Sequence, residues 1–275
     1  MINKLISFLV IVILTTSCET NPPSSPDTTP TGNISLNIHV DNSARFLAAS
    51  KVVLIEDFAN VSCNPCVISN KIIEKFSNET YGRSKLVVVK FPTNFPAPND
   101  LFYLAAKPIC DSRISYYNVF FAPTTVVDGI LKPVSTDSIS VMAAIDTRLA
   151  VTPRFEVNVN ASLEGDYVID VNVKFLDTTG LNMSDLIINA VITETNIEFE
   201  QPPGSNGETK FYDVTRLMLP NNEGTSIRQL IDQGEISYEF KDALLSSWNL
   251  QNINAVVYIQ DKNLKETFQT GSTFD

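Results

Sequence analysis

The sequence predicts an α/β domain over residues 34–152 followed by an all-β sandwich over residues 153–275, carried behind a leader at 1–17 and a tether at 18–33. Three observations predict this. Between residues 51 and 150, short apolar runs alternate with stretches of helical periodicity, which is the order of an α/β unit. Beyond Pro153 the apolar period becomes two, with turn residues between short segments, as in a sandwich. At the first strand-to-helix junction stand two cysteines, Cys63 and Cys66, three residues apart.

The chain opens with one positive charge, Lys4, then an almost wholly apolar run at residues 5–14 and the small residues Thr15, Thr16 and Ser17. This pattern is that of a secretory signal peptide. A membrane-spanning helix needs about 20 apolar residues, roughly twice this run. Residues 19–33 hold Pro22, Pro23, Pro26 and Pro30 among Ser, Thr, Asn and Asp, with no aliphatic or aromatic side chain to bury. Such a segment favours extended polyproline II at about 3.1 Å per residue, giving a stalk of up to roughly 45 Å.

From Ile34 the pattern changes. Ile34, Leu36, Ile38 and Val40 alternate with polar residues, as in a half-buried strand. Residues 52–55 are continuously apolar, which suits a strand covered on both faces. Val67, Ile68, Ile72, Ile73 and Phe76 recur at helical spacing, and residues 86–91 form a second buried strand. Helical character follows over 100–118 despite Pro108, then a short strand at 124–127 ends at Asp128-Gly129, and a last helix covers 135–150. Pro153 marks the domain boundary. After it, Phe155, Val157, Val159 and Ala161 alternate, as do Val168, Ile169, Val171, Val173 and Phe175 with one slip. Further strands are expected over 186–194, 211–219, 237–240 and 255–260, with turns at 164–166, 177–180 and 202–207. No repeat recurs at a fixed period.

Hydrophobic residues make up 44% of the 275, enough for packed cores, and the net charge is −11. No cluster of Lys and Arg offers itself to phosphates, so nucleic acid is not an expected partner. Four cysteines are too few for a disulfide-built scaffold, so the close pair is a local device. Cys110 shares a helical face with Ala105 and Ile109 and reads as a core thiol. The single histidine, His39, lies in the first strand and there is no second cysteine pair, so no metal is expected, and no cofactor.

At a helix start, unpaired N–H groups and about half a positive charge stabilise a thiolate. In that geometry Cys63 is the exposed nucleophile, and Cys66, one turn inward, resolves a mixed disulfide. The residues leave three readings of the pair open: thiol–disulfide exchange, an inert structural disulfide, or metal ligation.

Three resemblances add to this. Cys18 directly after small residues resembles the lipobox of bacterial lipoproteins, which implies acylation of Cys18 and anchorage in a membrane. Thr15 stands where that box has leucine, and the alternative is a secreted chain with a cysteine at the junction. The run Asp57-Phe58-Ala59-Asn60-Val61-Ser62-Cys63-Asn64-Pro65-Cys66, with Ala122-Pro123-Thr124 and Gly129, resembles the thioredoxin family. That resemblance implies a thioredoxin-like fold for the α/β domain. It implies that Asp57 is a buried acid exchanging a proton with the inner cysteine. It also implies that Pro123 is a cis-proline beside the disulfide that presents backbone to an extended substrate. Ser62 and Asn64 depart from the family's usual aromatic and glycine, which bears on substrate fit and potential.

Beyond the tether the chain resembles the twenty-eight-kilodalton outer-membrane protein family. The resemblance rests on residues 53–58 leading into Cys63, on 123–129, on Asp213-Val214-Thr215-Arg216 and on residues 255–261. It implies an outer-membrane lipoprotein, facing the periplasm or the cell surface, with no agreed reaction. Two functions stay open: a membrane-tethered oxidoreductase acting on exported proteins with thiols or disulfides, and a binding or adhesion lipoprotein in which the first domain is scaffold.

Overall fold

The computed structural model describes residues 33–39, 49–227 and 234–274. The leader, Cys18 and all of the tether but Asn33 lie outside the described residues. Among the described residues no helix is long and apolar enough to cross a membrane.

In chain order the elements are β1 (Asn33–His39), β2 (Val53–Ala59), α1 (Cys66–Lys75), β3 (Leu86–Pro92), α2 (Leu101–Ala105), α3 (Lys107–Tyr117), β4 (Thr124–Val127) and α4 (Ser138–Leu149). Then come β5 (Phe155–Glu164), β6 (Asp166–Phe175), β7 (Leu186–Glu194), β8 (Ile197–Glu198), β9 (Lys210–Phe211), β10 (Val214–Leu219), β11 (Thr225–Ser226), β12 (Glu235–Asp242), β13 (Ile253–Asp261) and β14 (Thr267–Ser272). The architecture is mixed α/β. The segment read as one helix over 100–118 is two. Asp100 caps α2 by accepting from Phe102 and Tyr103 N–H, Ala106 leaves the helical region, and Pro108 falls in the first turn of α3, where its missing N–H costs nothing.

Strands β14-β13-β7-β10-β3-β2-β4 run in that order through one sheet, with β11 added beside β7. No sheet boundary falls at residues 152–153, because β10 pairs in parallel with β3 at Val214 and Lys90. The join is hidden in sequence because the period of two belongs to the half-buried β5, β6 and β12, whereas β7 is buried at every position, like β3. A second sheet has the order β1-β12-β6-β5, so the strand counted with the first domain pairs with β12 of the second. Alternation foretold that β1 is a strand and was silent on its neighbour.

One core lies between the two sheets, with Phe155, Ile169 and Phe240 facing Ile192, Leu219 and Val257. A second covers the opposite face of the large sheet and spans both halves of the chain, placing Leu54, Phe91, Ile109 and Tyr117 with Val191, Val256 and Tyr258. A third packs α1 and α4 on β2 and β3 through Ile73, Ile145, Ile55 and Val88. Buried charges also bridge the halves. Asp128 accepts from Lys51 and from Arg148, each at 2.8 Å, and Arg148 reaches Glu266 at 2.7 Å. Next to it Gly129, at φ +77°, stands so close to the Lys265 carbonyl that a Cβ would lie 1.7 Å from its oxygen. Only glycine fits there.

Candidate functional site

Buried strand β2 delivers the chain from Asp57 into a turn that ends at the start of α1. Asn60 fixes that turn. Its amide donates to the carbonyls of Thr93 and Ala97 at 2.6 and 2.9 Å, its oxygen accepts from Ser62 N–H at 2.9 Å, and its carbonyl accepts from Cys63 N–H at 3.0 Å. Asp100 holds the same turn from the other side, accepting from Val61 N–H at 2.8 Å. Sequence reasoning missed both residues, although an Asn and an Asp flanking apolar segments are ordinary turn and cap signals.

Cys63 and Cys66 are joined in a disulfide. Cys66 opens α1, and its N–H donates to Cys63 Sγ at 3.2 Å. Cys63 sulfur therefore lies at the positive end of the ten-residue helix, where a thiolate is favoured. Cys66 is fully buried, and Cys63 is only 2% exposed. The exposed Cys63 expected from its place at a helix start is thus corrected, and its turn is met by a segment about 140 residues further on.

That segment is the loop between β8 and β9. Asn206 N–H donates to the Val61 carbonyl at 3.2 Å, and Ser205 N–H to Ser62 Oγ at 3.2 Å. The Asn206 side-chain amide reaches the Cys63 and Asn60 carbonyls at 3.4 and 3.5 Å and Glu208 Oε2 at 2.6 Å. Below the loop, Val61 packs with Phe102, Phe211 and Val214.

Asp57 is fully buried on β2, opposite Lys90 on β3 and Thr125 on β4. Thr125 Oγ1 donates to Asp57 Oδ1 at 2.9 Å, while Oδ2 has no hydrogen-bond partner. Burial raises its carboxyl to about 6. The Lys90 ammonium and the Thr125 bond oppose that shift, and the Glu208 and Glu74 carboxylates add to it. Lys90 in turn donates to Asn70 Oδ1 at 3.0 Å and pairs with Glu74 at 3.4 Å, and Asn70 donates to Glu208 Oε1 at 2.8 Å. A polar chain thus runs from Lys90, the strand neighbour of Asp57, through Asn70 and Glu208 to Asn206 in this loop. A lysine inside the apolar run of β3 was its one visible signal, since an unpaired buried charge is not tolerated.

The Ala122–Pro123 peptide is cis, and Pro123 is buried just before β4. Ser135 Oγ donates to its carbonyl at 3.4 Å and accepts from Thr125 N–H at 2.9 Å. The structure therefore ties Asp57 to the Pro123 segment through Thr125, and Cys63 to Cys66 covalently, with β2 as the link between the two pairs. Cys110 is wholly buried in α3, and burial pushes its thiol well above the ordinary value, so it is no nucleophile here. Among the described residues no group of three or more His, Cys, Asp or Glu side chains is placed to hold a metal ion.

No protein-family model and no curated protein matches the chain. Among solved structures it is similar to HBP35 of Porphyromonas gingivalis, with a TM-score of 0.69 at 13% identity over 81% of this chain and 74% of that one. A protein from Agrobacterium tumefaciens matches with a TM-score of 0.54 at 12% identity, over 82% of this chain and 95% of that one. At these identities the two likenesses establish a shared fold alone. A domain of the outer membrane lipoprotein Omp28 from Porphyromonas gingivalis covers 44% of this chain and 88% of its own length at 12% identity, with a TM-score of 0.28, too low to carry an argument.

Proposed function

We propose that this chain is an exported lipoprotein, held in the outer membrane through Cys18, whose thioredoxin-like part exchanges disulfides with exported proteins. The observation that carries the reading is the Cys63–Cys66 disulfide at the start of α1, with Cys66 N–H on Cys63 Sγ and a buried acid, Asp57, on the strand leading into it. An inert staple has no need of a buried carboxyl lacking a partner for one oxygen, which destabilises the fold. Export is supported by the leader and the small residues before Cys18, and it puts the thiols in an oxidising compartment.

The exchange runs as follows. A thiolate of a partner protein attacks Cys63 Sγ, the Cys63–Cys66 bond breaks, and Cys66 leaves as thiolate with the electron pair. The partner's second thiolate then attacks the mixed disulfide, forming the partner's disulfide and releasing Cys63. The partner dithiol is oxidised and the Cys63–Cys66 pair reduced by the same two electrons, and the reverse sequence reduces a partner disulfide. Asp57, with a carboxyl near 6, is a base suited to taking the Cys66 proton before that reverse attack.

The test is reduction of insulin by the pre-reduced soluble body, the protein produced from Glu19 onward so that it carries neither leader nor Cys18. Cys63→Ser is expected to abolish it, and Cys110→Ser to leave it unchanged. Insulin reduction that survives Cys63→Ser rejects the exchange reading in favour of a binding lipoprotein built on an inert dithiol scaffold.

A further inference from the structure

The loop over the disulfide belongs to the far part of the chain, and what it touches is specific. Strands β8 and β9 form a two-stranded ribbon of their own, with Ile197 opposite Phe211 and Glu198 opposite Lys210. Phe199 and Phe211 anchor the ribbon's root on Phe102, with ring centroids 6.0 and 5.0 Å away. From that root, residues 200–209 project over the turn that holds the cysteines. The contacts there are main-chain and polar: Asn206 N–H on the Val61 carbonyl, Ser205 N–H on Ser62 Oγ, and the Asn206 amide on the Cys63 carbonyl. Gly204 is pressed so near that a Cβ on it would lie 2.1 Å from the Val61 oxygen. The outer side of the loop, at Gln201, Pro202, Ser205 and Gly207, faces solvent.

We propose that residues 200–209 are a built-in cover of the dithiol, which must lift off its turn before any partner thiol reaches Cys63. Three features support a cover over a permanent part of the core. Its seat is made of hydrogen bonds that water or an incoming chain replaces at small net cost, whereas its root is an aromatic cluster that stays packed. Its tip carries two prolines and two glycines, and buries no large apolar side chain. The groups it occupies include the carbonyl of Cys63 itself beside that of Val61, so the loop lies against the residue that a partner thiol has to reach. Glu208 makes the closed state polar on its inner side as well, through Asn70. Access to the pair is then set by the opening equilibrium of this loop, and a partner that competes for the loop's seat promotes its own reaction.

The inference rests on the reading of the pair as an exchange centre, and its test is kept separate by using a small phosphine. The oxidised soluble body is treated with tris(2-carboxyethyl)phosphine, and the appearance of the Cys63 and Cys66 thiols is followed by alkylation and mass spectrometry. Reduction of the wild type is expected to be far slower folded than in denaturant. Asn206→Ala, which removes the side-chain bonds of the seat, and Gly204→Ala, which pushes the loop off Val61, are each expected to speed reduction about tenfold or more, while circular dichroism stays that of the wild type. Should Gly204→Ala misfold, Asn206→Ala decides alone. Equal rates in the wild type and in a folded Asn206→Ala overturn the cover. Faster phosphine reduction in both variants with no exchange toward insulin in any of them leaves the cover standing and rejects the exchange reading.

Discussion

Asp57→Asn is expected to stabilise the oxidised protein by up to about 3 kcal/mol above roughly pH 7, and hardly at all near pH 4. The sign follows from proton binding. Burial raises the folded carboxyl to about 6 from an ordinary 3.8, so between these values the folded state holds a proton that the unfolded state has released. Stability therefore falls as pH rises through that window and stays low above it, the reverse of a salt-bridged aspartate. The asparagine amide keeps an oxygen for the Thr125 hydroxyl and has nothing to ionise, so the variant loses this slope. Urea unfolding at a series of pH values measures it. A variant and wild type whose difference does not change between pH 4 and pH 8 would mean that Asp57 is ionised without penalty, and its role as proton acceptor would lose its basis.

The second large effect lies on the other face of β2. Glu56 and Arg113 are both buried, and Arg113 donates from Nε to Glu56 Oε1 at 2.9 Å and from Nη2 to the same oxygen. Tyr117 donates to Glu56 Oε2, and Gln260 on β13 donates to Tyr117 Oη at 2.8 Å and to the Lys265 carbonyl at 2.7 Å. The guanidinium also lies over Tyr116 and Tyr117, 4.6 and 4.9 Å from their ring centroids. This group locks α3 to the strand that carries Asp57 and to the far part of the chain. Arg113→Met leaves the Glu56 carboxylate buried without a counter-charge and is expected to cost about 3–5 kcal/mol. Glu56→Gln combined with Arg113→Met is expected to cost clearly less than the two single changes summed, because the stranded charge is gone. Additive losses would show that the pair is not coupled.

Local features were legible and long-range ones were not. The continuous apolar runs at 52–55 and 86–91 gave the buried strands, and the period of two at 155–175 gave the half-buried β5 and β6. The helix start at Cys66 was readable because a strand end, a proline and a helical period follow one another in sequence. Strand β10 beside β3, and β1 beside β12, depend on register between segments more than a hundred residues apart, which alternation does not encode. The same holds for the site. Asp57 and Pro123 were found by resemblance, and Lys90 left a trace as a charge in an apolar run. Residues 202–207 carried only the composition of a turn, and nothing local in Asn206 or Glu208 announced a seat on the cysteine loop. A covering loop is invisible to spacing because its partner lies elsewhere in the chain.

The central claim is that Cys63 Sγ is the sulfur that forms the mixed disulfide with partners, and trapping tests it most directly. In Cys66→Ser the resolving thiol is gone, so a mixed disulfide formed at Cys63 persists. The variant, with Asn206→Ala added to open the loop, is incubated with an oxidised protein or peptide disulfide, and the adducts are mapped by mass spectrometry. The account predicts a mixed disulfide on Cys63, none on buried Cys110, and slower formation when Asn206 is restored. A Cys63 that stays a free thiol in the opened variant, while the same disulfide is attacked by a small thiol added as control, would contradict it.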